Sequence, residues 1–279
     1  MLDRVLICTD LDRTLLPNGA PPESPGARDR FRALTARPEV ELAFVSGRHR
    51  ALVESAIAEY QLPQPDYVIG DVGSSIYAVH DGEWSQWSLW NEVLESDWGT
   101  RDGHALIALF DDIELLTPQE SEKQGRFKSS YYAPLTADVE ALQREMQSRL
   151  DAEGLPSKII WSIDDNRNIG LIDVLPRKAS KLEAVRFLMK STGHALNNTL
   201  FAGDSGNDLA VLCSEVNAVL VANATDSVRE QALRLAAEAG AADSLYTARG
   251  GFRGMNGNYS AGILEGLAHY IPETEIWIP

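Results

Sequence analysis

The feature that most constrains the fold is the pair Asp10 and Asp12, set directly after the apolar run Val5-Leu6-Ile7-Cys8. Such a run reads as a strand buried on both faces, the kind found in a parallel sheet. Two carboxylates one residue apart at its end project to the same side as the chain leaves the sheet. In an open α/β sheet, that carboxyl end is where ligands bind. A carboxylate pair placed there either repels itself or holds a cation.

The pattern continues as strand alternating with helix. An apolar run over 40–45 ends at Ser46-Gly47-Arg48 and is followed by helical periodicity over 50–60; a short strand is expected at 67–69. This alternation implies right-handed crossovers and a doubly wound parallel sheet. Near residue 76 the pattern changes. Segments 76–79 and 84–89 read as a hairpin around Asp81-Gly82, followed by a helix at 102–111, strands at 127–132, 158–163 and 170–174, and an amphipathic helix at 136–153. The doubly wound pattern resumes with helices at 181–190, 207–214, 227–240 and 262–270 and strands at 199–202 and 216–221. The expected organisation is therefore an α/β core over 1–79 and 176–279, with a smaller α+β domain inserted at 80–175. An insertion whose ends return to one core is expected to pivot on it, with a cleft between the two.

A formal net charge of −16 argues against nucleic-acid binding, which needs a basic face. It would also repel an anionic substrate unless local cations reverse the field. No apolar run approaches the ~20 residues of a membrane span. Acidic residues at Asp3, Asp10 and Asp12 interrupt any leader-like start, and Cys8 and Cys213 read as buried free thiols. Cytoplasmic location is the expectation.

Four motifs sit at predicted strand ends or helix starts. Asp10 and Asp12 could simply be exposed acids at a turn, or a carboxylate nucleophile and its acid/base partner; aspartate is a known phosphoryl acceptor. Gly203-Asp204-Ser205-Gly206-Asn207-Asp208 carries more oxygen ligands than a capped turn requires, and hard oxygens of this kind suit Mg²⁺. Ser46-Gly47-Arg48 reads either as a helix cap or as a phosphate pocket of backbone N–H groups. Lys181 closes a cationic cluster with Arg177 and Lys178, and is a candidate to neutralise both a phosphate and the nucleophile.

Together these residues resemble the haloacid dehalogenase-like phosphohydrolases, whose four motifs correspond to Asp10-Leu11-Asp12-Arg13-Thr14, Ser46, Lys181 and 203–208. The insertion looks like that family's larger α+β cap. The resemblance implies that Asp10 is the nucleophile and Asp12 the general acid/base, while Ser46 and Lys181 hold the phosphate. It further implies Mg²⁺ on Asp10, the Asp12 backbone carbonyl and Asp204, with Asp208 and Asn207 supporting metal and phosphate. A finer similarity, carried by 9–15, 127–132, 173–176, 204–208, 221–224 and 261–266, is to the sucrose-phosphate phosphatase branch. Arg13 stands where the wider family has glycine, and the glycine-rich 250–260 segment is longer than that branch leads one to expect.

The expected activity is removal of phosphate from a small sugar phosphate, most simply a disaccharide phosphate such as sucrose 6-phosphate. Alternatives are a mannosylfructose-, glucosylglycerate- or monosaccharide phosphate, a phosphomutase, or a non-catalytic sugar-phosphate-binding subunit. In the cap, Lys128, Glu122 and Gln124 are candidates for sugar hydroxyls. Trp84, Trp87 and Trp90 are read as cap core or surface apolar patch in preference to sugar-stacking platforms. The sequence carries no signal for oligomeric state.

Overall fold

A computed structural model describes residues 4–164 and 167–279; Asp3, named above, lies outside them. The chain divides into two compact units, Met1–Gln86 with Lys181–Pro279, and Trp87–Ser180.

The first unit opens with β1 (Val5–Thr9), every residue of which is buried, as the apolar run requires. Helix α1 (Ala27–Thr35), β2 (Val40–Val45), α2 (Arg50–Tyr60) and β3 (Tyr67–Gly70) follow. The hairpin of β4 (Ser75–His80) and β5 (Glu83–Gln86) adds two antiparallel strands at the sheet edge. That pairing keeps the hairpin in the first unit, so the second begins at Trp87 where 80 was expected and ends at Ser180 where 175 was expected. The expected strand at 84–89 stops at Gln86. From Ser88 the chain is helical, because Trp90, Leu94 and Trp98 at four-residue spacing form one buried stripe.

The second unit holds α3 (Ser88–Trp98), β6 (Thr117–Pro118), β7 (Ser129–Ala133), α4 (Val139–Ala152), β8 (Ser157–Asp164) and β9 (Ile169–Pro176). Its sheet is antiparallel in the order β6-β7-β9-β8. Trp90 and Trp98 are core, and the Trp98 Nε1–H donates to Ser157 Oγ at 2.9 Å. Trp84 lies in the first unit, edge-on to Tyr77 with the Arg50 guanidinium over its ring. The expected helix at 102–111 is a 3-10 segment, Gly103–Leu109. A side chain at Gly103 would place Cβ 2.3 Å from the carbonyls of Gly125 and Lys128, so the chain passes too close there for anything larger.

The chain then returns to the first unit through α5 (Lys181–Thr192), β10 (Thr199–Gly203), α6 (Leu209–Leu212), β11 (Ala218–Leu220), α7 (Asp226–Glu238), β12 (Leu245–Thr247) and α8 (Ser260–Tyr270). The helix expected at 207–214 is instead a 3-10 turn over Gly206–Asp208 leading into the single turn of α6. The large sheet has the order β12-β11-β10-β1-β2-β3-β4-β5, and its strands are parallel from β12 through β3. The winding direction reverses at β1, which lies between β10 and β2. That reversal is the switch point at which doubly wound sheets bind ligands. Cys8 and Cys213 are both free, but only Cys8 is buried; Cys213 is half-buried.

Candidate active site

Parallel pairing brings the ends of β1 and β10 side by side. Thr9 lies opposite Ala202, and the Asp10 N–H donates to the Ala202 carbonyl at 2.9 Å. Asp10 and Asp204, 194 positions apart in the numbering, therefore leave the sheet as neighbours. Asp10, Asp204 and Asp208 are all buried, and one carboxylate oxygen from each lies within 4.8 Å of the others.

Lys181 enters from the first residue of α5 and is itself buried. Its ammonium donates to Asp10 Oδ1 and Asp208 Oδ1, both at 2.8 Å, and to Asn207 Oδ1 at 3.2 Å. All three of its protons are thereby directed. Asp208 Oδ2 accepts from the backbone N–H groups of Asp204 and Ser205, each at 3.1 Å. Both Asp208 oxygens are thus engaged by protein donors, which makes Asp208 the pivot between Lys181 and the 203–208 turn. Gly203 permits this: a Cβ there would lie 2.7 Å from the Asp208 side chain.

Asp204 is satisfied on one side only. Its Oδ1 accepts from Thr14 Oγ1 at 3.2 Å, while among the described residues buried Oδ2 has no hydrogen-bond donor. The Arg13 Nε is the cation beside it, at 3.4 Å. Burial drives the Asp204 carboxyl up to about 6, aided by Asp208 and opposed by Arg13, Thr14 and Lys181. Burial likewise lifts Asp10 to about 8; Lys181 opposes the rise, and Asp208 and Asp204 add to it. Lys181 loses to burial but gains more from Asp10 and Asp208, so its ammonium is held above its usual range. The common cause is a buried cluster with three carboxylates around one ammonium. An oxygen-only donor set with an orphaned carboxylate oxygen and excess negative charge fits a hard divalent cation such as Mg²⁺.

Asp12 is placed differently. Its Oδ2 accepts from Arg48 Nε at 2.7 Å and its Oδ1 from Arg48 Nη2 at 2.6 Å and Asn18 Nδ2 at 2.8 Å. Partial burial opposes ionisation, but the Arg48 bonds and charge outweigh it, so the carboxyl sits below the ordinary range. Arg48, part of the stretch read in the sequence as a phosphate pocket of backbone N–H groups, has its guanidinium engaged with Asp12. Ser46 is buried, and its Oγ accepts from the Arg48 N–H at 3.1 Å. A Cβ added at Gly47 would meet nothing closer than Val72 Cγ2 at 3.8 Å, so the turn stays open there.

The structure thus brings together Asp10, Lys181, Asp204, Asn207 and Asp208, and separately joins Asp12 to Ser46-Gly47-Arg48 through the Arg48 side chain. Lys128 belongs to the second unit, where its ammonium lies 3.9 Å from Asp173 Oδ1. Sequence reasoning missed Thr14, whose hydroxyl meets Asp204; beside Ser46 the chain turns at Asp71 and Val72, within the Gly70-Asp71-Val72-Gly73 stretch that the sequence marks as a turn. That turn has both residues at positive φ, and the Val72 N–H donates to the Ser46 carbonyl at 3.2 Å. Thr14 could have been found from its place in the first motif.

Comparison with known proteins agrees with this architecture. Residues 3–271 match the family model described as sucrose-6F-phosphate phosphohydrolase. A putative HAD-like hydrolase from Nitrosococcus oceani is 52% identical over all of this chain and 75% of its own length. A mannosylfructose-phosphate phosphatase from Agrobacterium fabrum is 31% identical, over 78% of this chain and 83% of its own. Among solved structures, the sucrose-phosphatase of Synechocystis in complex with sucrose and phosphate superposes with a TM-score of 0.72, covering 96% of this chain and 98% of its own at 23% identity. That last likeness concerns the fold.

Proposed function

The chain belongs to the sucrose-6F-phosphate phosphohydrolase family of HAD-type phosphatases, and from that premise we propose that it releases phosphate from a disaccharide phosphate, with Asp10 as nucleophile and Mg²⁺ as cation. Sugar phosphates are the substrate class; sucrose 6-phosphate is the first candidate. The observation that carries the reading is Lys181 joining Asp10 to Asp208 beside Asp204, at the carboxyl ends of two adjacent parallel strands.

Asp10 and Asp204 side chains, with the Asp12 backbone carbonyl, are the residues to hold the cation. When bound, Mg²⁺ supplies charge neutralisation for the phosphoryl oxygens and carboxylates. Asp208 is assigned to orienting Lys181, since its own oxygens already have donors. Lys181, the Ser46 hydroxyl and backbone N–H groups at the start of α2 would hold the phosphate, with Asn207 in support.

An Asp10 oxygen attacks phosphorus as the bond from phosphorus to the sugar oxygen breaks, and the proton on Asp12 goes to that oxygen. Asp12, now ionised, takes a proton from water; the resulting hydroxide attacks the aspartyl phosphate, giving inorganic phosphate and restoring Asp10. Arg48 holds Asp12 ionised, which suits the second half of this cycle. The first half needs that grip to loosen, as it would when a substrate phosphate draws the guanidinium away. Lys128, with its neighbour Asp173, stands as the candidate for reading sugar hydroxyls.

The test is a panel of phosphorylated mono- and disaccharides, including sucrose 6-phosphate and mannosylfructose phosphate, assayed for free phosphate with Mg²⁺ and with EDTA. The expected result is Mg²⁺-dependent release, fastest from a disaccharide phosphate and abolished in Asp10→Asn. Near-wild-type turnover by Asp10→Asn would remove the nucleophile assignment. Preference for a monosaccharide phosphate would remove the disaccharide reading.

A further inference from the structure

Lys181 satisfies two of the three clustered carboxylates, and the third has a different cation. Arg13 Nε lies 3.4 Å from Asp204 Oδ2, the one buried carboxylate oxygen of this site without a hydrogen bond among the described residues. The Arg13 backbone is fixed from both sides. Its N–H donates to Asn18 Oδ1 at 2.8 Å, and its carbonyl accepts from Asn223 Nδ2 at 2.6 Å. It also sits at φ 60°, in the left-handed region that favours glycine. Its side chain, by contrast, is nearly half exposed. A pinned backbone carrying a half-exposed guanidinium lets the charge leave while the loop stays in place.

We infer that Arg13 is a resident counter-cation that occupies the electrostatic place of the divalent ion beside Asp204 and must yield that place when the ion binds. The inference rests on the cation site proposed above. A dication held by Asp204 and a guanidinium 3.4 Å from the same oxygen repel each other, so Arg13 lowers ion affinity while it stabilises the ion-free protein. The backbone strain at φ 60° is consistent with a residue kept for its side chain, since glycine would fit this backbone without strain.

The experiment is a Mn²⁺ titration of the whole protein, following the free-ion electron paramagnetic resonance signal, alongside melting of the ion-free protein. Wild type is compared with Arg13→Gly, which suits the backbone, Arg13→Met, which keeps the stem without the charge, and Arg13→Lys. The inference expects Arg13→Gly and Arg13→Met to bind Mn²⁺ about tenfold more tightly, as removing a like charge next to a bound cation should. Arg13→Met is expected to melt lower than wild type without ion and to gain more on adding it; Arg13→Lys should stay near wild type in both. Affinity equal to or weaker than wild type in both uncharged variants overturns the role of Arg13 while leaving the cation site standing. Absence of Mn²⁺ binding in all four proteins overturns the cation site and this inference with it.

Discussion

Arg48 grips Asp12 through both carboxylate oxygens, at 2.7 Å and 2.6 Å. Paired, planar hydrogen bonds of this kind fix orientation as well as charge. Arg48→Met removes both bonds and the positive charge, so the Asp12 carboxyl is expected to titrate at higher pH than in wild type. Carbon-13 NMR of the aspartate side chains reads that directly. Turnover should fall roughly 10- to 100-fold, because an acid/base group that is no longer oriented spends less time in reach of the reacting oxygen. An unmoved Asp12 titration would mean that Arg48 does not set its charge state.

Glu265 explains the glycine-rich 250–260 segment. Its carboxylate is buried under that segment and accepts from the Arg249 N–H at 2.8 Å, the Gly250 N–H at 2.9 Å and the Tyr246 hydroxyl at 2.8 Å. Gly257 also passes over it: a Cβ there would lie 3.0 Å from Glu265 Oε2 and 2.7 Å from the Gly250 nitrogen. Glu265→Leu leaves three donors without an acceptor and is expected to cost about 2–4 kcal/mol in chemical denaturation. Amide exchange over 249–257 should quicken selectively. Uniform exchange across the chain would show that the carboxylate does not anchor this segment.

The strand ends were legible in the sequence because burial on both faces leaves an apolar run, as at β1, and because the acidic clusters interrupt those runs abruptly. The convergence of Asp10, Lys181 and the 203–208 turn could be expected only by resemblance, since nothing in a linear pattern states that β10 pairs with β1. What escaped was set by local geometry with no compositional mark. The boundary near residue 86 depends on β5 pairing with β4, and a hairpin reads the same whichever sheet it joins. The Arg48–Asp12 pair spans 36 positions, and an arginine after Ser-Gly at a helix start looks equally suited to phosphate. Strand β12 is only three residues long, too short for alternation to register.

Gly266, on α8, marks where that helix presses on the sheet. A Cβ there would lie 2.5 Å from Val219 Cβ, and Val219 is fully buried in β11. Gly266→Ala gains helix propensity of up to ~1 kcal/mol but forces helix and strand apart. Overpacking of this kind is expected to dominate, with a net loss of about 1–2 kcal/mol measured by denaturant titration. A neutral or stabilising result would show that α8 can shift without cost.

The pH dependence of the ion-free protein follows from Asp204. Its carboxyl rises from an ordinary 3.8 to about 6 in the folded chain, chiefly because burial penalises the charged form. A raised folded-state value means that the folded chain holds a proton the unfolded chain has already released. The stability this contributes is fully present below about pH 4 and is lost as pH rises through about 6. The rise from 3.8 to about 6 corresponds to on the order of 3 kcal/mol. Asp204→Asn has no such proton to lose, so its stability relative to wild type should climb between pH 4 and pH 7 and then level off. Urea denaturation of both proteins in EDTA, at half-unit pH steps, measures that difference. A difference that stays flat across the range, or falls with rising pH, would mean that the Asp204 carboxylate is already compensated in the ion-free fold, with Arg13 and Thr14 sufficient to hold it charged.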